Sequence, residues 1–244
     1  MKTIFVTGAS SGIGATTARM FLDHGWTVGL FARRRAALEE VADGHAQAHV
    51  FAGDVTDADA VSNAVEAFLD ATGPLDVLFN NAGIFTPPGT IDEISVRDWK
   101  ASVDVNLTGM FLAARAAFAV MRRQDPQGGR IINNGSVSAY VPRLGAAAYT
   151  ATKHGVTGLT RQISLDGRPF DIACGQIDIG NALTPMVQSF NDKALAEDPD
   201  AELQPSMAVE DAARSVLHMA ELPLGANVQF MTVMATKMPY IGRG

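Results

Sequence analysis

Thr3-Ile4-Phe5-Val6-Thr7-Gly8-Ala9-Ser10-Ser11-Gly12-Ile13-Gly14 opens the chain with a short apolar run, a glycine-punctuated turn and the start of an amphipathic helix reaching about His24. A strand feeding straight into a helix is half of a βαβ unit, and repetition of that unit builds a parallel sheet covered by helices. Glycines at such a turn let the backbone approach a pyrophosphate, while the helix N-terminus adds free N–H groups and the positive end of its dipole. The spacing is G-x-x-x-G-x-G rather than the commoner G-x-G-x-x-G.

The alternation continues. Strands are predicted at Thr27 to Ala32, Ala48 to Ala52, Leu75 to Phe79, Arg130 to Asn134, Ile172 to Ile179 and Asn227 to Val233. Helices are predicted after Arg33-Arg34-Arg35 through Val41, from Thr56 or Asp57 to about Ala71, from Val96 to Met121, from Tyr149 to Ile163 and from Ala208 to Glu221. Six to seven strands alternating with helices predict one α/β domain over 1–244: a doubly wound parallel sheet with helices on both faces. The long helix carries Asn106 and Gly109 in its middle, both poor helix formers. A local conflict of that kind marks a functional position. Asn181 to Ser206 mixes irregular and helical sequence and is expected to be a mobile lid or substrate loop. The tail to Gly244 is expected to dock on a neighbouring subunit.

The 244 residues are 47% hydrophobic and 18% charged, with a net charge of -7 and no long basic run. That balance excludes sequence-independent binding to nucleic acid or to an anionic membrane. The single cysteine, Cys174, excludes an intrachain disulfide and a zinc site built on paired cysteines, and is expected to be an inert core thiol. His45 and His49 stand four apart without carboxylate company, so no metal site is expected. The first apolar run is far too short for a signal or membrane segment, and a soluble, cytoplasmic protein is expected.

The second strand ends in Arg33-Arg34-Arg35, with no acid. In dinucleotide folds an acid here binds the 2′-OH of NAD, whereas an arginine accommodates the 2′-phosphate of NADP. Cations at a helix N-terminus oppose its dipole, a cost that a nearby phosphate explains. NADP(H) is therefore preferred, with NAD(H) still open. Asn80-Asn81-Ala82-Gly83 suits either close packing against a flat ligand or an ordinary turn. Ser136 stands at the C-terminal end of the fifth strand, where open α/β sheets bind ligands. Tyr149 and Lys153 share one helix face, and an ammonium beside a phenol favours the phenolate. A phenol tuned that way exchanges a proton with a substrate oxygen near neutral pH.

Together these motifs resemble the short-chain dehydrogenase/reductase family across nearly the whole chain. Thr7 to Gly14 is similar to its T-G-x-x-x-G-x-G, Asn80 to Gly83 to its N-N-A-G, and Asn106, Ser136, Tyr149 and Lys153 fall at its catalytic tetrad. The resemblance implies a Rossmann-type fold and hydride transfer between nicotinamide and a carbonyl or alcohol carbon. Gly8, Ser10, Ser11, Gly12, Ile13 and Gly14 would hold the coenzyme phosphates, and Arg33 and Arg34 a 2′-phosphate. Asp54 and Val55 would meet the adenine; Asn81, Ala82 and Gly83 would pack on the coenzyme; Ile179, Gly180 and Thr184 would flank the nicotinamide. Tyr149 would be the acid or base, Lys153 would lower its pKa and hold the nicotinamide ribose, and Ser136 would bond the substrate oxygen. Asn106 would hold a water leading to solvent. Two departures stand out: Ile179 replaces the usual proline before Gly180, and Ser11 replaces a residue that is often basic in NADP-preferring members.

Phe85, Val137, Val141, Leu144, Met186 and Phe190 hint at a pocket for a small or medium apolar ketone or alcohol. The family pattern also implies a homodimer or homotetramer. Two alternatives stay open: a coenzyme-binding sensor or regulator that does no chemistry, and a reductase of imines or activated C=C bonds.

Overall fold

A strand buried on both faces reads as a continuous apolar run, and the central strands here do so because helices cover the sheet on both sides. A computed structural model of the chain describes residues 2–241. The tail's last residues, 242–244, and the side chain of Phe190 lie outside what is described. Seven strands pair in parallel in the order β3-β2-β1-β4-β5-β6-β7. They are β1 (Thr3–Thr7), β2 (Thr27–Ala32), β3 (Ala48–Ala52), β4 (Val77–Asn80), β5 (Gly129–Asn134), β6 (Ile172–Ile179) and β7 (Phe230–Val233). The order reverses between β1 and β4, which sit side by side, and open sheets bind ligands in the crevice at such a point.

Alternate residues of each strand face opposite layers. Ile4, Val6, Val28 and Leu30 pack against α1 (Gly12–Asp23), α2 (Arg35–Ala42) and α8 (Val209–Glu221). Phe5, Phe31, Leu78 and Ile131 pack against α3 (Ala58–Thr72), α5 (Met110–Arg123) and α6 (Ala147–Gly167). Cys174 joins that second core, where burial pushes its thiol up. Asp57 caps α3, its Oδ1 accepting from the N–H groups of Asp59 and Ala60.

The helix expected from Val96 to Met121 is not uniform. It comprises α4 (Val96–Val103), a π-helical turn over Asp104–Gly109, and α5. Asn106 and Gly109 lie in that turn, so the widened backbone absorbs the two poor helix formers. A Cβ on Gly109 would meet Val55 Cγ1 at 2.8 Å, which is why a glycine stands there. By length and apolar content Val96–Arg123 could cross a membrane, yet the buried face of α5 packs on Val61, Val65 and Phe68 of α3 as a core helix does. Within the segment expected as a lid, Pro185–Glu197 is helical (α7), with no fully buried side chain among those described.

Arg130 begins the apolar run of β5, yet it is 1% exposed. Its guanidinium donates to the carbonyls of Leu222, Pro223 and Ala226 and to Asn227 Oδ1, pinning the connection from α8 to β7. Arg130→Met removes these charge-assisted bonds and should lower stability by about 2 kcal/mol. Urea unfolding reads that loss, and faster amide exchange confined to residues 222–227 reads its location.

Candidate active site

The C-terminal ends of β1, β2, β4, β5 and β6 border one cleft of about 490 Å³. At the end where β1 leads into α1, Gly8 (φ 68°) and Gly12 (φ 55°) turn the chain through left-handed backbone, which favours glycine. Gly14 faces away from the cleft; a Cβ there would strike the Gly8 carbonyl, so it serves close helix–strand packing. Ser11 precedes α1 without capping it by its side chain, and the first turn holds no acid. The N–H groups of that turn are thus left for an anion, which is the demand a coenzyme pyrophosphate makes.

The turn is fixed to β4 from the other side. Thr7 Oγ1 accepts from Asn81 N (2.9 Å) and Ala82 N (3.0 Å), and Asn81 Nδ2 donates to the Thr7 carbonyl at 3.0 Å. A Cβ on Gly8 would lie 2.9 Å from Ala82 Cα. Arg33 and Arg34 are exposed at the same end of the cleft, and Arg34 donates to Ser10 Oγ at 3.3 Å. Asp54 Oδ1 accepts from the N–H and the hydroxyl of Thr56. The Thr56 N–H, then its hydroxyl and the Arg33 charge, hold the Asp54 carboxyl below its ordinary value against a partial burial. The donors, acceptors and shape at this end fit a dinucleotide.

Ser136, Tyr149 and Lys153 meet at the opposite end of the cleft. Ser136 Oγ accepts from Ser138 N at 3.1 Å, which leaves its own hydroxyl hydrogen to give. Lys153 is 3% exposed and donates to the Asn134 carbonyl at 2.7 Å. Its ammonium lies 5.5 Å from the centroid of the half-buried Tyr149 ring. Phe85 stacks on that ring, centroids 3.9 Å apart and planes 19° from parallel. The acidity of Tyr149 differs from expectation. Burial pushes the phenol up, and the downward pulls come from the Ser136 hydroxyl and the Arg143 guanidinium rather than from Lys153. Lys153 is itself pulled down to about 8 by burial, with the Asp178 charge opposing.

Asn106 stands behind this wall rather than on it. It is fully buried, its Oδ1 accepting from Ile84 N (2.7 Å) and its Nδ2 donating to the Ile84 carbonyl (2.9 Å). The side chain thereby positions the Asn81–Phe85 loop. Ile179 continues the ladder of β6 opposite Val233, and Gly180 donates to the Val233 carbonyl at 2.8 Å. A Cβ on Gly180 would meet Met234 Cβ at 2.6 Å. Thr184 Oγ1 caps α7 by accepting from Val187 N. Val55, Gly83, Ile179, Gly180 and Thr184 all border the cleft. Of the apolar residues expected around the substrate, Phe85 and Met186 line the cleft; Val137 is buried, and Val141 and Leu144 are exposed outside it.

Two neighbours of the site, Asp178 and Arg143, carried no expectation from sequence, and a third, Asn181, entered only as the start of the expected lid. Asp178 is fully buried in β6, its Oδ1 accepting from Ser136 N (2.9 Å) and Gln176 Nε2 (2.7 Å) and its Oδ2 from the Tyr140 hydroxyl (3.2 Å). Burial raises its carboxyl, and these donors together with Lys153 oppose the rise. An acid inside the apolar run Ile177-Asp178-Ile179 was the available signal. Arg143 and Asn181 line the cleft and bond each other at 2.8 Å. A lone arginine in a loop gives no such signal.

The family profile described as short chain dehydrogenase matches residues 2–195. Trans-4-hydroxycyclohexanecarboxylate dehydrogenase of Sinomonas cyclohexanicum is 35% identical over 198 residues, 76% of this chain and 74% of that enzyme. The closed form of serine dehydrogenase complexed with NADP+ is similar with a TM-score of 0.88 at 25% identity, over 99% of this chain and 98% of that one. The 3-ketoacyl-(acyl-carrier-protein) reductase of Brucella melitensis complexed with NADH is similar with a TM-score of 0.85 at 26% identity, over 96% of each chain. Likeness of this extent, in sequence and in backbone alike, places the chain among oxidoreductases: it belongs to the short-chain dehydrogenase family.

Proposed function

We propose that the protein interconverts an alcohol and its carbonyl, with NADP(H) as the preferred coenzyme and Tyr149 as the group that moves the proton. The observation that carries this reading is the convergence of Ser136, Tyr149 and Lys153 on the cleft whose far end is the glycine turn. Relatives named as dehydrogenases and a reductase support the reaction class. The exposed Arg33 and Arg34, with no acid beside them at the end of β2, support a 2′-phosphate contact. Relatives bind either coenzyme, NADH in one and NADP+ in another, so the preference rests on those arginines.

Bound coenzyme supplies or takes up the two-electron reducing equivalent. The chain's own residues do the rest. The first turn of α1 holds phosphate, Asp54 meets the adenine side, and the ammonium of Lys153, with N–H donors beyond the one given to Asn134, holds ribose hydroxyls. Ser136 donates to the substrate oxygen and stabilises the negative charge that grows there. Tyr149 gives its phenolic proton to that oxygen in reduction and takes it back in oxidation. The stacked Phe85 and the rim residue Met186 offer an apolar bed for a small or medium carbon skeleton, with the segment 181–206 as its lid.

Tyr149→Phe should lower turnover at least about 10²-fold while coenzyme still binds, the low end for loss of a general acid. Coenzyme consumption followed at 340 nm, with coenzyme binding measured separately, checks both halves, and retained turnover would overturn the assignment. Arg33→Asp should weaken NADPH binding more than NADH binding in titrations of the two; equal losses would remove the 2′-phosphate contact.

Lys153 gives a pH dependence of known sign. Its folded value of about 8 lies below the ordinary lysine value, so the folded chain is penalised for carrying the ammonium at pH below 8. The penalty fades as pH rises from 8 to about 10.4, where the unfolded chain also loses the proton. Lys153→Met lacks that titration. Measured by urea unfolding, the stability of the variant relative to the parent should therefore fall by about 3 kcal/mol across that interval. A flat difference would contradict a desolvated lysine.

A further inference from the structure

Arg143 lies on the loop between Ser136 and α6 and lines the same cavity as Ser136 and Tyr149. Among the described residues no carboxylate lies within 4.0 Å of it. Its hydrogen bond goes instead to a neutral amide, Asn181 Oδ1, at 2.8 Å. Asn181 is well fixed: it is 8% exposed, its Nδ2 donates to the Pro205 carbonyl, and its carbonyl accepts from Met207 N. The guanidinium is thus tethered at the cavity wall through one of its five N–H donors, with the remainder free to bond a ligand.

Asp178, the buried acid of the site, makes no ion pair with Arg143: its oxygens accept from Ser136, Gln176 and Tyr140, while its charge opposes that of Arg143 at the Tyr149 phenol. The charge is felt at Tyr149, since Arg143 pulls the pKa of its phenol down against the rise that burial causes. The coenzyme's own anions are accounted for elsewhere, at the first turn of α1 and at Arg33 and Arg34. A neutral ketone would gain nothing from a tethered, unpaired guanidinium, whereas a planar or tripodal oxyacid anion can take two parallel N–H bonds from it.

We propose that Arg143, positioned by Asn181, binds an oxyacid anion on the substrate, a carboxylate or a sulfonate carried on the same small carbon skeleton as the reacting carbinol. The inference rests on the oxidoreductase reading and narrows it to hydroxy acids, hydroxy sulfonates and their oxo counterparts. In the oxidising direction the carbinol C–H leaves with its electron pair to the coenzyme and the hydroxyl proton goes to Tyr149. The anionic group passes through unchanged. Phe85 and Met186 then contact the carbon skeleton between the two polar ends.

The test compares matched substrates that differ only in the anion: 4-hydroxycyclohexanecarboxylate and 3-hydroxybutyrate against their methyl esters, and 2-hydroxyethanesulfonate against ethanol. For the native enzyme kcat/KM should favour the anion in at least one pair, and which pair distinguishes carboxylate from sulfonate. Arg143→Met should cost that anion about 10- to 100-fold more than it costs the neutral partner, chiefly through KM. Arg143→Lys should recover part of the loss. Neutral partners used as well as their anions, or equal losses for both in Arg143→Met, would overturn the proposal. Calorimetric titration of the same acids into the enzyme–coenzyme complex keeps the result independent of turnover. Acids bound by the native protein and lost in Arg143→Met, with nothing turned over, would uphold the anion site and overturn the oxidoreductase reading. Acids bound by neither, or by both equally, would overturn the anion site.

Discussion

The hydroxyl of Thr7, buried at the end of β1, accepts the N–H groups of Asn81 and Ala82 as β4 ends beside it. This clasp joins the two strands between which the sheet order reverses, and the rest of the cleft is arranged around it. On one side the chain leaves through Gly8 into α1 and offers an uncapped helix start. On the other it leaves through Gly83 towards Ile84 and Phe85, which Asn106 holds from below. Asn134 extends the clasp to the next strand by donating to Asn81 Oδ1, and its carbonyl receives Lys153. The glycine turn and the end of the cleft that holds Ser136, Tyr149 and Lys153 are therefore joined by one hydrogen-bonded seam.

That seam carries charges that burial disfavours. Lys153 and Asp178 are both desolvated, and each eases the other through its field without a direct ion pair. Hydrogen bonds do most of the compensation: a carbonyl for the ammonium, and a backbone N–H, an amide and a phenol for the carboxylate. Gly135 is part of the same solution. A side chain there would occupy the place of Asp178 Oδ1, so the absence of a Cβ lets the carboxylate reach Ser136 N and fix the serine. Ser136 is thus held by an acid, Asp178, that does not itself line the cleft.

Much of this was legible in the amino-acid sequence, for reasons that differ from residue to residue. The strand–turn–helix at Thr3 to Gly14 is local, and its periodicity and glycines admit few other readings. The conflict of Asn106 and Gly109 with a helical pattern was visible, though its resolution as a π-helical turn depends on packing against Val55 and Ile84, which only the fold supplies. The sign of the Tyr149 shift was not legible. Residue spacing brings an ammonium near a phenol, but the balance between that field and desolvation is set by burial. Arg143 and Asn181 were illegible for a simpler reason: thirty-eight positions separate them, and only the ends of β5 and β6 bring their loops together.

The π-helical turn has a bearing on how this chain can vary in length. A π-helical turn closes i→i+5 hydrogen bonds and so holds one more residue than the α-helical turns on either side. Insertions in a core helix ordinarily rotate everything that follows and bury the wrong face. Here the widened turn confines the extra residue, α5 keeps its apolar stripe on α3, and the amide of Asn106 is aimed at the Ile84 backbone. An extra residue inside a helix, which a packed core normally tolerates poorly, here steers one side chain without turning the apolar stripe of α5 off α3.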